Sequence, residues 1–405
     1  MPKLLQNQTL NLFGYGLTTK AIATRFGPAT FYDDNVTQPF IDDAGNRVKP
    51  VSEFQAKYSS LEVISPSIPP YHPLVQQAQH LLCEYDFFAD DMPFSIWISG
   101  TNGKTTTTRM IQTLLEDKGS ECGGNIGTPL AALSPDAPLW ILETSSYMLH
   151  YVKEAKPDIY VLLPIAPDHL KWHGDFEAYE QAKLAPLAFM KDGEAVILPR
   201  KYADVPTKGF KILYDGADDL AEYFGIDIAK IDFKGGFLLD AVLAMGVDKI
   251  LYDRLDYDKI NNFTLDKHRQ EKVYDSQGRL WVNDSKATNI DATIAALDAF
   301  SDKTIHIILG GDDKGVDLQP LFEALKPLDI TIYAIGANES RLMKMATHNH
   351  VKGVACQTMQ KAQEAIDKVL IKESIALLSP AAASFDQFKA YTVRGQEFKE
   401  KALSF

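Results

Sequence analysis

The sequence predicts an α/β protein of three domains, each a mainly parallel sheet with flanking helices, and three observations predict it. The chain has 405 residues, more than one hydrophobic core usually organises. Short apolar runs alternate with helix-like stretches along most of its length, the mark of β-α-β units. A glycine loop lies between an apolar strand and a stretch of good helix formers near its middle.

Taken in order, LNLF, ATFY and LEVI supply strands between Leu10 and about Asp90, giving a first domain over residues 1–91. Its Phe13-Gly14-Tyr15-Gly16-Leu17-Thr18-Thr19 segment is a strand-glycine-helix turn of Rossmann-like character, able to seat a pyrophosphate. Thr19 stands where a dinucleotide fingerprint has its third glycine, which argues against a nicotinamide site. Phe94 to Ser99 begins a second sheet, with later strands expected at Leu139 to Leu142, Ile159 to Leu163 and Ala195 to Leu198, in a P-loop domain over residues 92–267. Lys201 to Asp258, rich in Asp, Gly and Lys, gives no clear pattern. From Arg279 the alternation resumes through RLWV, TIHIIL, ITIYAI and SIALL, a Rossmann-like third domain over residues 268–405.

Composition narrows the function. A formal net charge of -13 opposes long-range attraction to nucleic acid or anionic membrane. No run of about 18 apolar residues could span a bilayer. The first residues lack a signal-peptide core, and Cys83, Cys122 and Cys356 are odd in number and far apart. A cytoplasmic protein without disulfides or a zinc framework is expected.

The central loop carries the chemistry. In Ser99-Gly100-Thr101-Asn102-Gly103-Lys104-Thr105-Thr106, successive backbone N–H groups and a helix N-terminus face a bound anion. Lys104 supplies charge to the β- and γ-phosphates of ATP, and the Thr105 hydroxyl suits Mg2+. Ile98 replaces the glycine of the general pattern, so this is a shorter variant of the loop. Glu143 ends one strand and His169 follows another, at the sheet edge where open α/β sheets bind ligands.

GTNGKTT, GGNIG, ETSSY, DHLKWHGDFEAYEQAK, HR, NDSKATN, LGGDDK and LLSPAAASFDQF occur in the order known from the Mur ligases, and the chain resembles that family over most of its length. The resemblance implies an ATP- and Mg2+-dependent ligase that forms an amide through an acyl-phosphate. It implies metal ligation by Thr105, Glu143, His169 and Lys183, the last as a carbamate, and a place for Asn125 near the reacting carboxylate. Arg269 and Asp284 are implied at the nucleotide, Lys286 at the transferring phosphate, and Thr288, Asp312, Lys314, Ser384 and Tyr391 at the amino acid. Leu17, Thr18, Asp33 and Ser65 are expected to line a UDP site. The last three motifs point to D-glutamate and UDP-N-acetylmuramoyl-L-alanine as substrates. A monomer is expected.

Departures accompany the resemblance. The segment Lys234 to Asp240 lacks the family's histidine-asparagine pair at adenine, Pro164 stands where asparagine is familiar, and Pro186 should kink or end the helix that carries Lys183. A folylpolyglutamate-type ligase, a regulatory ATP-binding protein and a dehydrogenase are the competing readings. The SPAAASFDQF and GGDDK segments, the Glu143, His169 and Lys183 set, and Thr19 respectively weigh against them.

Overall fold

The computed structural model describes residues 9–405, which build three six-stranded sheets. The first contains β1 (Leu10–Phe13), β2 (Thr30–Asp33), β3 (Phe40–Ile41), β4 (Arg47–Pro50), β5 (Leu61–Ile64) and β6 (Leu81–Leu82), in the order β3-β4-β2-β1-β5-β6. The second contains β7 (Phe94–Ser99), β8 (Glu121–Gly124), β9 (Leu139–Glu143), β10 (Ile159–Leu162), β11 (Ala195–Pro199) and β12 (Phe210–Tyr214), in the order β12-β11-β10-β7-β9-β8. The third contains β13 (Glu271–Tyr274), β14 (Leu280–Asn283), β15 (Thr304–Gly310), β16 (Ile330–Ile335), β17 (Lys352–Gln357) and β18 (Ser374–Leu378), in the order β13-β14-β18-β15-β16-β17. Every pairing is parallel except β3 with β4 and β13 with β14.

The expected strands are present, and the unreadable stretch contains β12 and a helix, Gly236–Tyr252. That helix is buried continuously from Asp240 to Asp248, and a helix apolar on all sides shows no stripe to read. The Lys183 helix runs Phe176–Leu184 and gives way to a 3-10 turn containing Pro186, so the expected early end is where proline denies the next N–H.

The chain divides into two compact units, one of residues 1–231 and 239–261, the other of 232–238 and 262–405. In the first, one apolar core runs from Phe13 and Phe31 through Phe87 and Phe88 to Trp97, Trp140 and Tyr160, while the alternate residues Ile96, Ile98 and Ile141 are buried outside it. Phe88 meets Trp140 edge-on at 6.4 Å, Tyr151 donates to the Ile68 carbonyl at 2.7 Å, and Asp86 accepts the backbone N–H groups of Lys153, Glu154 and Ala155. The first two sheets thus share one interior. In the second unit the sheet is covered on both faces: Val282, Ile307 and Leu377 point into one cluster, Trp281, Ile308 and Leu378 into the other, as alternation along a strand requires.

Candidate active site

In the first two sheets the connections leave in opposite directions on either side of a central strand, β1 or β7, and the loops leaving that strand and its neighbours lie at their carboxyl ends. In the second sheet these are the loops after β7, β9 and β10. They hold the phosphate loop, Glu143 and the His169 segment.

The phosphate loop is pressed against its neighbours so closely that glycine is required. Gly100 has φ +133° and a Cβ there would stand 2.5 Å from that of Leu163; Gly103 has φ +86° and its Cβ would run into Asp240 Oδ1. Asp240 is buried and accepts from the Thr107 hydroxyl at 2.9 Å, holding the first turn of helix Lys104–Leu115. Lys104 Nζ donates to the loop's own carbonyls, Gly100 at 3.0 Å and Thr101 at 2.7 Å. Thr101 Oγ1 lies 3.0 Å from the Tyr179 hydroxyl and donates to Ala166 O at 2.9 Å, tying the loop to the one after β10.

Lys183 is 1% exposed, and its Nζ donates to Gly100 O at 2.7 Å and lies 4.7 Å from the centre of the Tyr179 ring. Burial, then the charge of Lys104, pushes its ammonium well below the usual lysine range. Tyr160 fixes its backbone by donating to Lys183 O at 2.6 Å. Glu143 is also buried; Oε1 accepts from Asn125 Nδ2 at 2.6 Å, while Oε2 is a buried oxygen without a hydrogen-bond donor among the described residues. Such an orphaned carboxylate oxygen suits a cation. The turn that presents Asn125 depends on Gly124, at φ +83° and against the Glu143 carbonyl, which accepts the Asn125 N–H at 2.9 Å. His169 is exposed, with φ +54°, and its Nδ1 lies 2.7 Å from the Tyr147 hydroxyl. The structure therefore brings Lys104, Asn125, Glu143, His169 and Lys183 to one sheet edge.

In the first sheet Gly14 turns at φ +88° against Ser65, and Tyr15 N–H donates to Asp33 Oδ2 at 2.7 Å. Burial would raise the Asp33 carboxyl, but N–H groups of Tyr15 and Asn35, with Lys20 nearby, hold it below its ordinary value. Thr19 Oγ1 donates to Gly14 O at 2.7 Å, closing the turn where a third glycine was absent. Leu17 and Thr18 begin helix Leu17–Phe26, Leu17 exposed, directly after the Gly14-Tyr15 turn that meets Ser65 and Asp33.

In the second unit the loops after β14, β15 and β18 meet. Asp312 pairs with Ala383 through both backbone hydrogen bonds, at 2.9 Å each, joining the GGDDK loop to the segment with Ser384. Lys314, at φ +52°, donates its N–H to Asp312 Oδ1 at 3.0 Å. Lys286 Nζ lies 4.2 Å from the centre of the Tyr391 ring, and Thr288 N–H donates to Lys286 O at 2.8 Å. Asp284 is buried and accepts from Ser379 Oγ at 2.8 Å and Gln270 N–H at 3.2 Å; burial raises its carboxyl to about 7. Arg269 Nε stands 3.9 Å from Asp266 Oδ2. Buried Arg394 reaches two of these loops, donating to Ser285 Oγ and O at 2.9 Å and to Ala382 O at 3.2 Å.

Comparison with known proteins decides the family. The model described as Mur ligase middle domain matches residues 98–225, and that described as Mur ligase, glutamate ligase domain, residues 268–381. A UDP-N-acetylmuramoylalanine--D-glutamate ligase of Campylobacter jejuni subsp. jejuni (strain 81116) is 52% identical over 96% of this chain and 98% of its own. The chain belongs to the Mur ligase family. A ligase of the same name from Helicobacter pylori (strain J99) is 43% identical to this Mur ligase, over 97% of this chain and 99% of that one. Among solved structures, MurF ligase from Thermotoga maritima in complex with ADP has TM-score 0.59 at 14% identity, covering 100% of this chain and 99% of that one; the fold is shared.

Three residues that touch the predicted ones, Tyr147, Tyr179 and Asp240, were not foreseen in the sequence of this Mur ligase, nor was Arg394, which bonds Ser285 and Ala382 in the loops that bear them. Asp240 alone had a sequence signal, an acid within an apolar run (Gly236–Gly246).

Proposed function

We propose that this chain is an ATP-dependent ligase that adds D-glutamate to UDP-N-acetylmuramoyl-L-alanine in peptidoglycan synthesis, releasing ADP and phosphate. The observation that carries the proposal is the 52% identity to a ligase of that name over nearly the whole of both chains. No helix among the described residues is long and apolar enough to cross a membrane. We assign the reaction to the cytoplasm and to a monomer.

The roles divide by domain: residues 1–91 bind the UDP end through Leu17, Thr18, Asp33 and Ser65, 92–267 bind ATP, and 268–405 bind the amino acid. A carboxylate is a poor electrophile. Its activation as an acyl-phosphate gives the amine of D-glutamate a carbonyl to attack and phosphate to leave. Backbone N–H groups from Gly100 to Thr106 cradle the phosphates and Lys104 turns from its loop carbonyls toward the β- and γ-groups. Asn125 orients the carboxylate of Glu143 and reaches toward the acceptor carboxylate. Bound Mg2+ would neutralise phosphate charge between Thr105, Glu143, His169 and carbamylated Lys183, a donor set consistent with the orphaned Glu143 Oε2. Carbamylation suits a lysine buried beside a second cation, because it replaces a costly ammonium with an anion. Arg269 and Asp284 hold the nucleotide, Lys286 the transferring phosphate, and Thr288, Asp312, Lys314, Ser384 and Tyr391 the D-glutamate, whose carboxylates call for cationic and hydroxyl donors.

Phosphate release is to be measured from ATP with UDP-N-acetylmuramoyl-L-alanine, Mg2+ and bicarbonate, comparing D-glutamate, L-glutamate, lysine and no amino acid. Release confined to D-glutamate, with an amide of matching mass, is the expected result. Activity with another pair would keep the ligase and move the substrate, and release independent of any amino acid would overturn the proposal.

A further inference from the structure

The turn after β16, Gly336-Ala337-Asn338, leads into helix Glu339–His348. Asn338 stands at the N-cap, where an asparagine side chain ordinarily accepts from a backbone N–H two or three residues on. Here it makes no such bond. Asn338 is 6% exposed, and its amide is turned instead toward the GGDDK loop: Oδ1 accepts the Gly311 N–H at 3.1 Å and Nδ2 donates to Asp313 Oδ2 at 2.8 Å. A backbone N–H only donates and an ionised carboxylate only accepts, so these partners fix which way the amide points.

The two bonds bracket Asp312. Lys314 N–H donates to Asp312 Oδ1 at 3.0 Å and Gly315 N–H to Asp313 Oδ1 at 2.9 Å, successive Asx turns that place the exposed Lys314 between them. Arg341, one turn into the helix, donates from Nη1 to Asp313 Oδ2 at 2.5 Å and from Nη2 to Val316 O at 2.8 Å. The Ser384 segment is fastened to the same turn, for Asp386 Oδ2 accepts the Ala337 N–H at 2.8 Å. The loops after β15 and β18 thus both take their position from the turn after β16.

We propose that Asn338 is a positioning residue for the amino-acid site: its one amide holds Gly311 and Asp313 at a fixed spacing and so sets where Asp312 and Lys314 stand when the amino acid arrives. The anchoring stands on geometry; its consequence rests on the reading of Asp312 and Lys314 as amino-acid contacts. Asparagine suits the place because it offers an acceptor to the N–H and a donor to the carboxylate at once. Aspartate would keep the first bond and set two carboxylates against each other in place of the second.

Initial rates of phosphate release by the full chain, with each substrate varied in turn, test this. Asn338→Asp is expected to raise the KM for D-glutamate about tenfold. Its kcat, its KM for ATP and for UDP-N-acetylmuramoyl-L-alanine, and its melting temperature are expected to stay unchanged within experimental error. Adding Asp313→Asn exchanges donor and acceptor across the same hydrogen bond, and should bring the KM most of the way back, as general damage to the loop would not allow. Should Asn338→Asp fail to fold, Arg341→Met removes the outer anchor from a half-exposed position and is expected to raise the same KM by itself. A KM for D-glutamate unmoved in the folded variant, a rise shared by ATP and the acceptor, or no recovery in the double variant overturns the proposal. Lys314→Met tests the reading beneath it. If that variant leaves the KM for D-glutamate unchanged, or the wild type releases phosphate without D-glutamate, the contact reading falls and the proposal falls with it. A KM raised by Lys314→Met but not by Asn338→Asp overturns the positioning role alone.

Discussion

Gly103 shows how little room single residues have at the phosphate loop. A methyl group there would meet Asp240 Oδ1 in a backbone conformation that L-residues rarely adopt. Gly103→Ala should abolish ATP binding by calorimetry and lower stability by about 1–3 kcal/mol. The double variant with Asp240→Gly should recover part of the stability but not the affinity, because the left-handed φ remains. Glu143→Gln keeps the volume and the Asn125 contact but removes the charge from an oxygen with no donor of its own. It should lower kcat for phosphate release at least tenfold with little change in melting temperature. At this scale the sequence was legible wherever a residue type has a restricted set of uses, as in the loop glycines, Lys104 and Glu143. Tyr147 and Arg394 were illegible because tyrosine and arginine serve many ends, and their roles exist only through partners distant in sequence: Arg394 lies 109 residues from Ser285.

Helix Tyr391–Leu403 carries Arg394 to the carbonyls of Ser285 and Ala382, and so ties the NDSKATN loop to the SPAAASF loop. Arg394→Met should remove a buried charge and leave those carbonyls without donors. The expected outcome is a KM for D-glutamate raised at least tenfold and about 1–3 kcal/mol lost on urea unfolding, with Arg394→Lys between the variant and the wild type. Elements with strong alternation or glycine boundaries, such as β7, β15, β16 and β18, could be read directly. The strands β3 and β6 are two residues long, too short for a period of two to register. Strand β17 was hidden for another reason: it is largely exposed at a sheet edge, so its sequence carries few apolar residues.

Across the whole molecule, the expected three domains correspond to three sheets, but the first two share a core through Phe26, Phe87, Phe88 and Trp140. Denaturant unfolding followed by tryptophan emission should accordingly resolve two transitions rather than three; Trp97, Trp140 and Trp172 report the first unit and Trp281 the second. Sharing of a core is invisible to periodicity, which reports that a face is apolar and not what covers it. Glu84 lies in that shared region, its Oε1 3.3 Å from the Ala131 N–H donor, and burial raises its carboxyl to about 8. At low pH both folded and unfolded chains hold its proton. As pH rises from about 4.5 toward 8 the unfolded chain releases it first, so the stability of the first unit falls across that window and levels off above it. Glu84→Gln should flatten this slope in urea midpoints measured from pH 5 to 8.

The carbonyl of Gly100 accepts from both Lys104 and Lys183. Under the carbamate proposal, one of these cations becomes an anion when CO2 is taken up, and the other gains a partner of opposite sign at the moment nucleotide draws it away. CO2 uptake and nucleotide affinity are then thermodynamically linked, and the linkage runs both ways by the same factor. Bicarbonate would tighten or loosen ATP binding to the degree that ATP protects or exposes the carbamate. The dissolved carbon of the cell would in that case act as an effector of this enzyme as well as a modifying reagent, and 13C spectra of bicarbonate-treated protein with and without nucleotide would read the coupling directly.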